Sequence, residues 1–272
     1  MATLKEKLHK NIPTIGSWIT IGDPSVAEIM ARAGFDWLTV DLEHSAITLR
    51  EARDLIRVIE LSGVIPLVRV GANDPLIIKR VMDAGAHGVI VPMVNTREDA
   101  MRAVASVKYP PKGTRGVGLG RAQGYGFTFP KYKKWLDKES VVIVQIEHID
   151  AIKNLEKILS VPGVDGSMIG PYDLSGSLGH PGESERKDVQ DAISRYEAIC
   201  KKMKKPMGFH VVQPDVEKAK KYLAKGYTFL SLSFDALFLG LHARSVLGEL
   251  KSKRTPQNPP AGGSRGRLRT RN

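Results

Sequence analysis

The sequence predicts a single (β/α)8 barrel of the TIM type, an α/β fold, from three observations. The chain carries eight short apolar runs, an amphipathic stretch follows each, and its 272 residues are close to the roughly 250 that one such barrel requires. The runs occupy residues 14–20, 35–41, 65–69, 88–91, 141–147, 164–170, 206–212 and 227–233. Most are apolar throughout instead of alternating, which suits parallel strands covered on both faces. The amphipathic stretches include residues 24–33, 49–62 and 216–224. Several open with Asp-Pro, Asn-Asp-Pro or Gln-Pro-Asp, which combine a capping side chain with a proline that preorganises the first turn.

Two stretches break this rhythm, residues 112–129 and 171–187. Both carry Gly or Pro and are expected to be long loops, functional or mobile. The last helical stretch, residues 234–247, holds Phe234, Leu237, Phe238, Leu239, Leu241, Val246 and Leu247, more apolar surface than one core-facing stripe needs. That excess predicts a subunit interface. Residues 1–250 are therefore expected to form the barrel domain. Residues 251–272, with Pro, Gly and charge but no apolar anchors, are expected to be a disordered basic tail.

Composition narrows the class. The chain is 42% hydrophobic and 26% charged, and no run approaches the roughly 20 apolar residues of a membrane-spanning helix. The charged N-terminus lacks the apolar segment of a secretory signal, so the expected compartment is the cytoplasm. Cys200 is the sole cysteine, which excludes an intramolecular disulfide and a thiolate metal cage. The net charge is +12, but seven Lys or Arg and no acid lie in residues 251–272, leaving +5 for the rest. Nucleic-acid binding through that tail would explain the charge, yet it would leave the residues at the strand ends without a purpose.

Barrels of this type keep their chemistry at the C-terminal ends of the strands. Here those ends supply Asp41, Glu43 and His44, then Arg69, then Gln145 and Glu147, and finally Gly170, Pro171, Tyr172 and Asp173. Glu147 and Asp173 come from adjacent strands, and two carboxylates with room for water suit Mg²⁺ or Mn²⁺. The plainer alternatives are an ion pair between Glu147 and Arg69 and a helix-capping role for Asp173. A cation held there would bind the oxo and carboxylate oxygens of a 2-oxo acid and stabilise its enolate, with Arg69 adding a charged donor. Histidine is the side chain whose unperturbed pKa lies near neutrality, so His44 suits proton transfer, and Asp41 three residues earlier suits orienting its ring. None of the eight runs contains a lysine, which argues against Schiff-base chemistry and for metal-assisted enolisation. His87, His148, His180, His210 and His242 form no i,i+4 pair, so a zinc motif of that kind is absent. The glycines from Gly116 to Gly120 lack the flanking strand and helix of a dinucleotide fingerprint.

The motifs DLEHS, RVGANDP, VPMV, GTRGVG, VQIE and IGPYDLSGSLG, taken in order from about Ile15 to Leu247, resemble those of the HpcH/HpaI aldolase family. The resemblance implies an aldolase dependent on Mg²⁺, Mn²⁺ or Co²⁺ that cleaves or forms 4-hydroxy-2-oxo or 2-keto-3-deoxy acids, with pyruvate and an aldehyde as the other partners. It implies Glu147 and Asp173 as metal ligands, Arg69 at the enolate, and His44 with Asp41 moving protons. Gln145 and the backbone of Gly170, Pro171, Tyr172 and Asp173 would lie beside the pyruvate carboxylate and metal-bound water. It further implies a homo-oligomer, a hexamer or trimer of dimers with exchanged C-terminal helices. Tyr172 and the loop GVGLGRAQGYG depart from the pattern of relatives and leave the aldehyde open. Arg115, just before that loop, and Arg121 within it either contact a distal carboxylate or are solvated, the second being the default. A related lyase acting on a CoA thioester or a phosphoenolpyruvate-like substrate is the alternative, because the same carboxylates and arginine would serve it.

Overall fold

The computed structural model describes residues 2–252. Eight parallel strands close in sequence order into one barrel, the last pairing with the first. They are β1 Thr14–Ile19, β2 Trp37–Asp41, β3 Ile65–Arg69, β4 Gly88–Val91, β5 Val141–Ile146, β6 Gly166–Ile169, β7 Met207–Val211 and β8 Phe229–Phe234. Each lies inside an expected run apart from Phe234, one residue past the eighth, and β2, β6 and β8 start two residues after their runs do.

Alternation along each strand divides the apolar side chains between two cores. Val40, Val68, Val89, Val144 and Ile169 face outward and pack against Leu55, Ile59, Val81 and Leu155 of the surrounding helices. Trp18, Trp37, Leu67, Ile90, Ile143, Met168 and Phe229 fill the interior. Trp37 lies flat on Phe229, ring centroids 4.1 Å apart. Leu4 and Leu8 join this inner cluster from the short helix Leu4–His9, which starts with a capping box between Thr3 and Glu6. Lys5 and His9 fasten the helix to Asp165, at 3.0 and 3.2 Å. This plug closes the N-terminal end of the barrel. Six residues are too few for periodicity to reveal it.

The helix starts follow the sequence signals. Asp23 and Asp74 cap helices that begin with Pro24 and Pro75, and Asp215 caps Val216–Ala224. The expected loops need correction. Residues 171–187 begin with a helix, Pro171–Ser177, and residues 112–129 include the 3-10 turn Gly124–Gly126. Arg115, far from being solvated, is buried between the Asp83 carboxylate at 2.6 Å and the Tyr132 hydroxyl at 2.9 Å. Arg121 pairs with Glu60. Neither arginine lines the cavities at the C-terminal mouth.

The final helix runs Asp235–Ser252, so Lys251 and Ser252 belong to it and not to the tail. The remainder of the expected tail lies outside the described residues. Asp235 is the one buried residue of this helix, and Leu239, Val246, Leu247 and Leu250 are exposed. Among the described residues no helix is long and apolar enough to cross a membrane.

Gly16 is required by the interior packing: a Cβ there would fall 2.1 Å from Cδ2 of Trp37. Gly16→Ala should displace the Trp37–Phe229 stack and lower stability by about 1–3 kcal/mol. The urea midpoint measures this, and an unchanged midpoint would mean that Trp37 is not seated as described.

Candidate active site

All the strands point the same way, so their last residues gather at one mouth. A cavity of ≈ 430 Å³ opens there, walled by Trp18, Arg69, Gln145, Tyr172, Asp173 and His210 among others. A second space of ≈ 180 Å³ adjoins it, lined by Trp18, Thr20, Asp41, His44, Arg69, His210 and Phe234.

Parallel register sets Asp41 of β2 opposite Arg69 of β3. The guanidinium donates twice to that carboxylate, Nε to Oδ1 at 2.8 Å and Nη2 to Oδ2 at 2.6 Å. Its third nitrogen lies 3.3 Å from Glu43, and its face covers the Trp18 ring at 4.3 Å. Arg69 therefore pairs with Asp41 and Glu43, and the alternative pairing with Glu147 does not form. Asp41 also accepts from the backbone amides of Glu43 and His44, at 3.0 and 3.4 Å. Burial opposes ionisation of Asp41, but Arg69 and these amides outweigh it and hold the carboxyl below its ordinary range. Asp41 thus reaches His44 through the backbone and does not orient its ring as expected. The exposed His44 ring has Glu43 as its nearest acid, with Nε2 3.7 Å from Oε2.

Glu147 follows β5 and is buried. The Met93 amide donates to Oε1 at 2.6 Å, and the Gln145 side-chain amide to Oε2 at 2.5 Å. Met93 adopts φ 52°, a left-handed conformation rare for a side chain of this kind, as it delivers that amide. Asp173 stands in the first turn of the helix that opens after Gly170. A Cβ on Gly170 would lie 3.3 Å from Oε2 of Glu147 and 3.8 Å from Oδ2 of Asp173, so this glycine leaves the space between the two carboxylates open. Gly170, Pro171 and Tyr172 border the same cavity.

Burial pushes the Glu147 carboxyl up to about 7, with repulsion from Glu43 and Asp173 adding to it and the Met93 and Gln145 amides opposing. Burial likewise raises Glu43 to about 7 despite Arg69, with Asp41 and Asp173 contributing. Three acids that repel one another, Glu147 buried, Glu43 half-buried and Asp173 exposed, suit a cation. No group of three or more His, Cys, Asp or Glu side chains forms a metal cage among the described residues. Glu147 and Asp173 would be two ligands of a hard cation that takes its remaining oxygens from water or substrate. Gln145 Oε1 is buried without a hydrogen-bond partner, and Glu43 Oε2 faces the Arg69 guanidinium without accepting a well-aligned hydrogen bond from it, which also fits a cavity built for further polar atoms.

The mouth therefore brings together Asp41, His44, Arg69, Gln145, Glu147, Gly170, Pro171, Tyr172 and Asp173. Sequence reasoning gave no role to Glu43, Trp18 or His210. Glu43 sat within a recognised motif, whereas Trp18 and His210 are ordinary members of apolar runs until the barrel closes.

The raised carboxyl of Glu147 has a consequence for stability. Its pKa is higher in the folded chain than in the unfolded one, so the folded state binds the extra proton between about 4.5 and about 7. The stability this contributes is complete below the unfolded value and is lost as pH rises through the folded one. Glu147→Gln removes the charge. Without added metal, the variant should gain stability relative to the parent as pH rises from about 5 to about 8. Urea midpoints across that range measure the difference, and a constant difference would refute the assignment.

The family model described as HpcH/HpaI aldolase/citrate lyase matches residues 14–240. A 2-dehydro-3,6-dideoxy-6-sulfogluconate aldolase of Pseudomonas putida is 39% identical over 251 residues, 92% of this chain and 97% of that protein. A 5-keto-4-deoxy-D-glucarate aldolase of Salmonella newport is 39% identical over 222 residues, 81% of this chain and 86% of that protein. Among solved structures, an HpcH/HpaI aldolase/citrate lyase family protein from Burkholderia cenocepacia superposes with a TM-score of 0.86 at 34% identity, covering 91% of this chain and 98% of that one. Barrel topology, the acids and arginine at its mouth, and similarity over nearly the full length agree: the chain belongs to the HpcH/HpaI aldolase/citrate lyase family.

Proposed function

We infer that this chain is a divalent-metal-dependent aldolase that cleaves 2-keto-3-deoxy sugar acids, which are 4-hydroxy-2-oxo acids, into pyruvate and an aldehyde. The observation that carries the reading is the pair Glu147 and Asp173 flanking Gly170, with the Arg69 guanidinium fixed across the same cavity. Sugar-acid aldolases at 39% identity support it. Glu147 and Asp173 would hold a bound Mg²⁺, Mn²⁺ or Co²⁺, which would supply Lewis acidity to the 2-oxo acid.

The remaining roles belong to the chain itself. Gln145 positions Glu147 through its amide, and Gly170 with the backbone of Pro171 and Tyr172 borders the place for the pyruvate carboxylate. Arg69 presents a charged donor to the oxygen that gains negative charge during cleavage. Its bonds to Asp41 hold the guanidinium in one orientation before substrate arrives, so little ordering remains for the reaction. His44, exposed at the adjoining space, takes the proton of the hydroxyl whose carbon leaves as the aldehyde. The enzyme works in the cytoplasm as a homo-oligomer. The exposed apolar residues of the helix Asp235–Ser252 support association through that helix.

Chelation should abolish pyruvate release from a 2-keto-3-deoxy sugar acid, and added Mg²⁺, Mn²⁺ or Co²⁺ should restore it. Full turnover in excess chelator would sink the metal assignment. A metal-loaded enzyme that releases no pyruvate from such acids would sink the reaction.

Arg69→Ala should slow both this cleavage and proton exchange at the pyruvate methyl group by about 10²- to 10³-fold, since both build charge on the same oxygen. Lysine at that position keeps the charge without the planar fork and should rescue only part of the rate. Wild-type rates in both assays would remove Arg69 from the chemistry.

A further inference from the structure

His210 ends up in a place that neither the metal pair nor the proton-transfer group accounts for. It stands near the end of β7, between the two adjoining spaces, and walls both of them together with Trp18 and Arg69. Its ring packs against Trp18, centroids 5.5 Å apart, and Trp18 in turn lies under the Arg69 guanidinium. The ring is thus held by the same stack that fixes the catalytic arginine.

Its tautomer is also fixed. Nε2 lies 3.2 Å from the carbonyl oxygen of Ser233. A carbonyl can only accept, so Nε2 carries the hydrogen and Nδ1 is left with its lone pair. That carbonyl is itself held in place. It accepts a second hydrogen bond from the Ser17 hydroxyl at 3.1 Å, and Ser233 adopts the left-handed φ of 52°. Burial pushes the imidazole down to about 4, with the Arg69 charge adding to it against the Ser233 carbonyl and Asp41, so the ring stays neutral around pH 7.

The smaller space holds His44 and is therefore where the aldehyde half of the substrate is placed. Its other acceptors are already engaged, and Trp18 Nε1, which has no hydrogen-bond partner among the described residues, can only donate. The Thr20 hydroxyl donates to Asp235 at 2.6 Å, and Asp41 is taken by Arg69 and two backbone amides. His44 has the proton to move. Nδ1 of His210 is left as the acceptor without a hydrogen-bond partner among the described residues.

We propose that His210 is a specificity-determining residue for the aldehyde half, its Nδ1 accepting a hydrogen bond from a hydroxyl of a polyhydroxylated carbon chain. The proposal rests on the aldolase reading above and adds the substrate feature which that reading leaves open. A site built to bond a hydroxyl discriminates against the analogue lacking it, since the acceptor is then buried without a partner.

The test compares aldol addition of pyruvate to glyceraldehyde and to propionaldehyde, which share a carbon skeleton and differ only in hydroxyl groups. In the metal-loaded full chain, His210→Phe keeps a flat ring beside Trp18 and removes both hydrogen bonds. The ratio of kcat/KM for glyceraldehyde over propionaldehyde should fall about tenfold, mainly through KM for the hydroxylated aldehyde. His210→Asn, whose amide oxygen comes close to the place of Nδ1, should recover much of the ratio. If the phenylalanine variant does not fold, His210→Gln, which keeps a donor for Ser233 but no acceptor at Nδ1, should show the same fall. An unchanged ratio, or equal losses for both aldehydes, overturns the proposal. Proton exchange into pyruvate by the wild-type enzyme separates the two failures. Exchange with an unmoved ratio removes His210 alone, and its absence removes the aldolase reading and this inference together.

Discussion

The paired hydrogen bonds from Arg69 to Asp41 are the constraint on which the rest of the mouth depends. They join neighbouring strands at their last residues, where the parallel register sets the two side chains side by side. From that pair the order spreads outward. The guanidinium presses on Trp18, Trp18 on His210, and Glu43 is drawn to the remaining nitrogen. Because the pair is nearly dry, removing one partner would strand a charge, at a cost of about 3–5 kcal/mol, far more than a solvated ion pair is worth. The same interaction supports local structure and preorganises the donor that the chemistry needs.

Beside this satisfied pair the structure keeps an unsatisfied group of three acids. Glu43, Glu147 and Asp173 bring more negative charge to the mouth than Arg69 neutralises, and burial raises the Glu43 and Glu147 carboxyls to about 7. Such an arrangement costs stability when the chain is alone, and a bound cation reverses the sign of the local field. The backbone shares this cost. Met93 and Ser233 both adopt left-handed conformations, and each delivers one backbone group to the mouth, an amide to Glu147 and a carbonyl to His210. Strain of this kind persists only where surrounding packing enforces it.

That enforcement comes from below. Trp37, Phe229, Leu67 and Ile143 fill the barrel interior, and Leu4 and Leu8 seal its lower end, so the cavity opens only at the end where the polar residues lie. Gly16 and Gly170 serve opposite purposes in this design. The first makes room for the Trp37 ring inside the core, and the second keeps open the space between the two carboxylates.

The sequence by itself determined the barrel, its eight strands to within two residues at each end, and the acids and arginine at their ends. Parallel strands covered on both faces leave continuous apolar runs, and catalytic groups at one end of each run stand out as polar residues beside them. Sequence spacing did not reveal who pairs with whom. Asp41 lies three residues from His44 yet binds Arg69, because strand pairing brings residue 69 closer to it than the chain brings the ring of residue 44. Arg115 reads as a loop residue and is buried, since the glycine-rich segment folds back over the helix that carries Asp83. His210 and Trp18 read as strand residues among others, and only closure of the barrel turns them toward the same space. Periodicity is a local property and survives in the sequence. Which side chains meet across strands far apart in the chain is decided when the first strand pairs with the eighth.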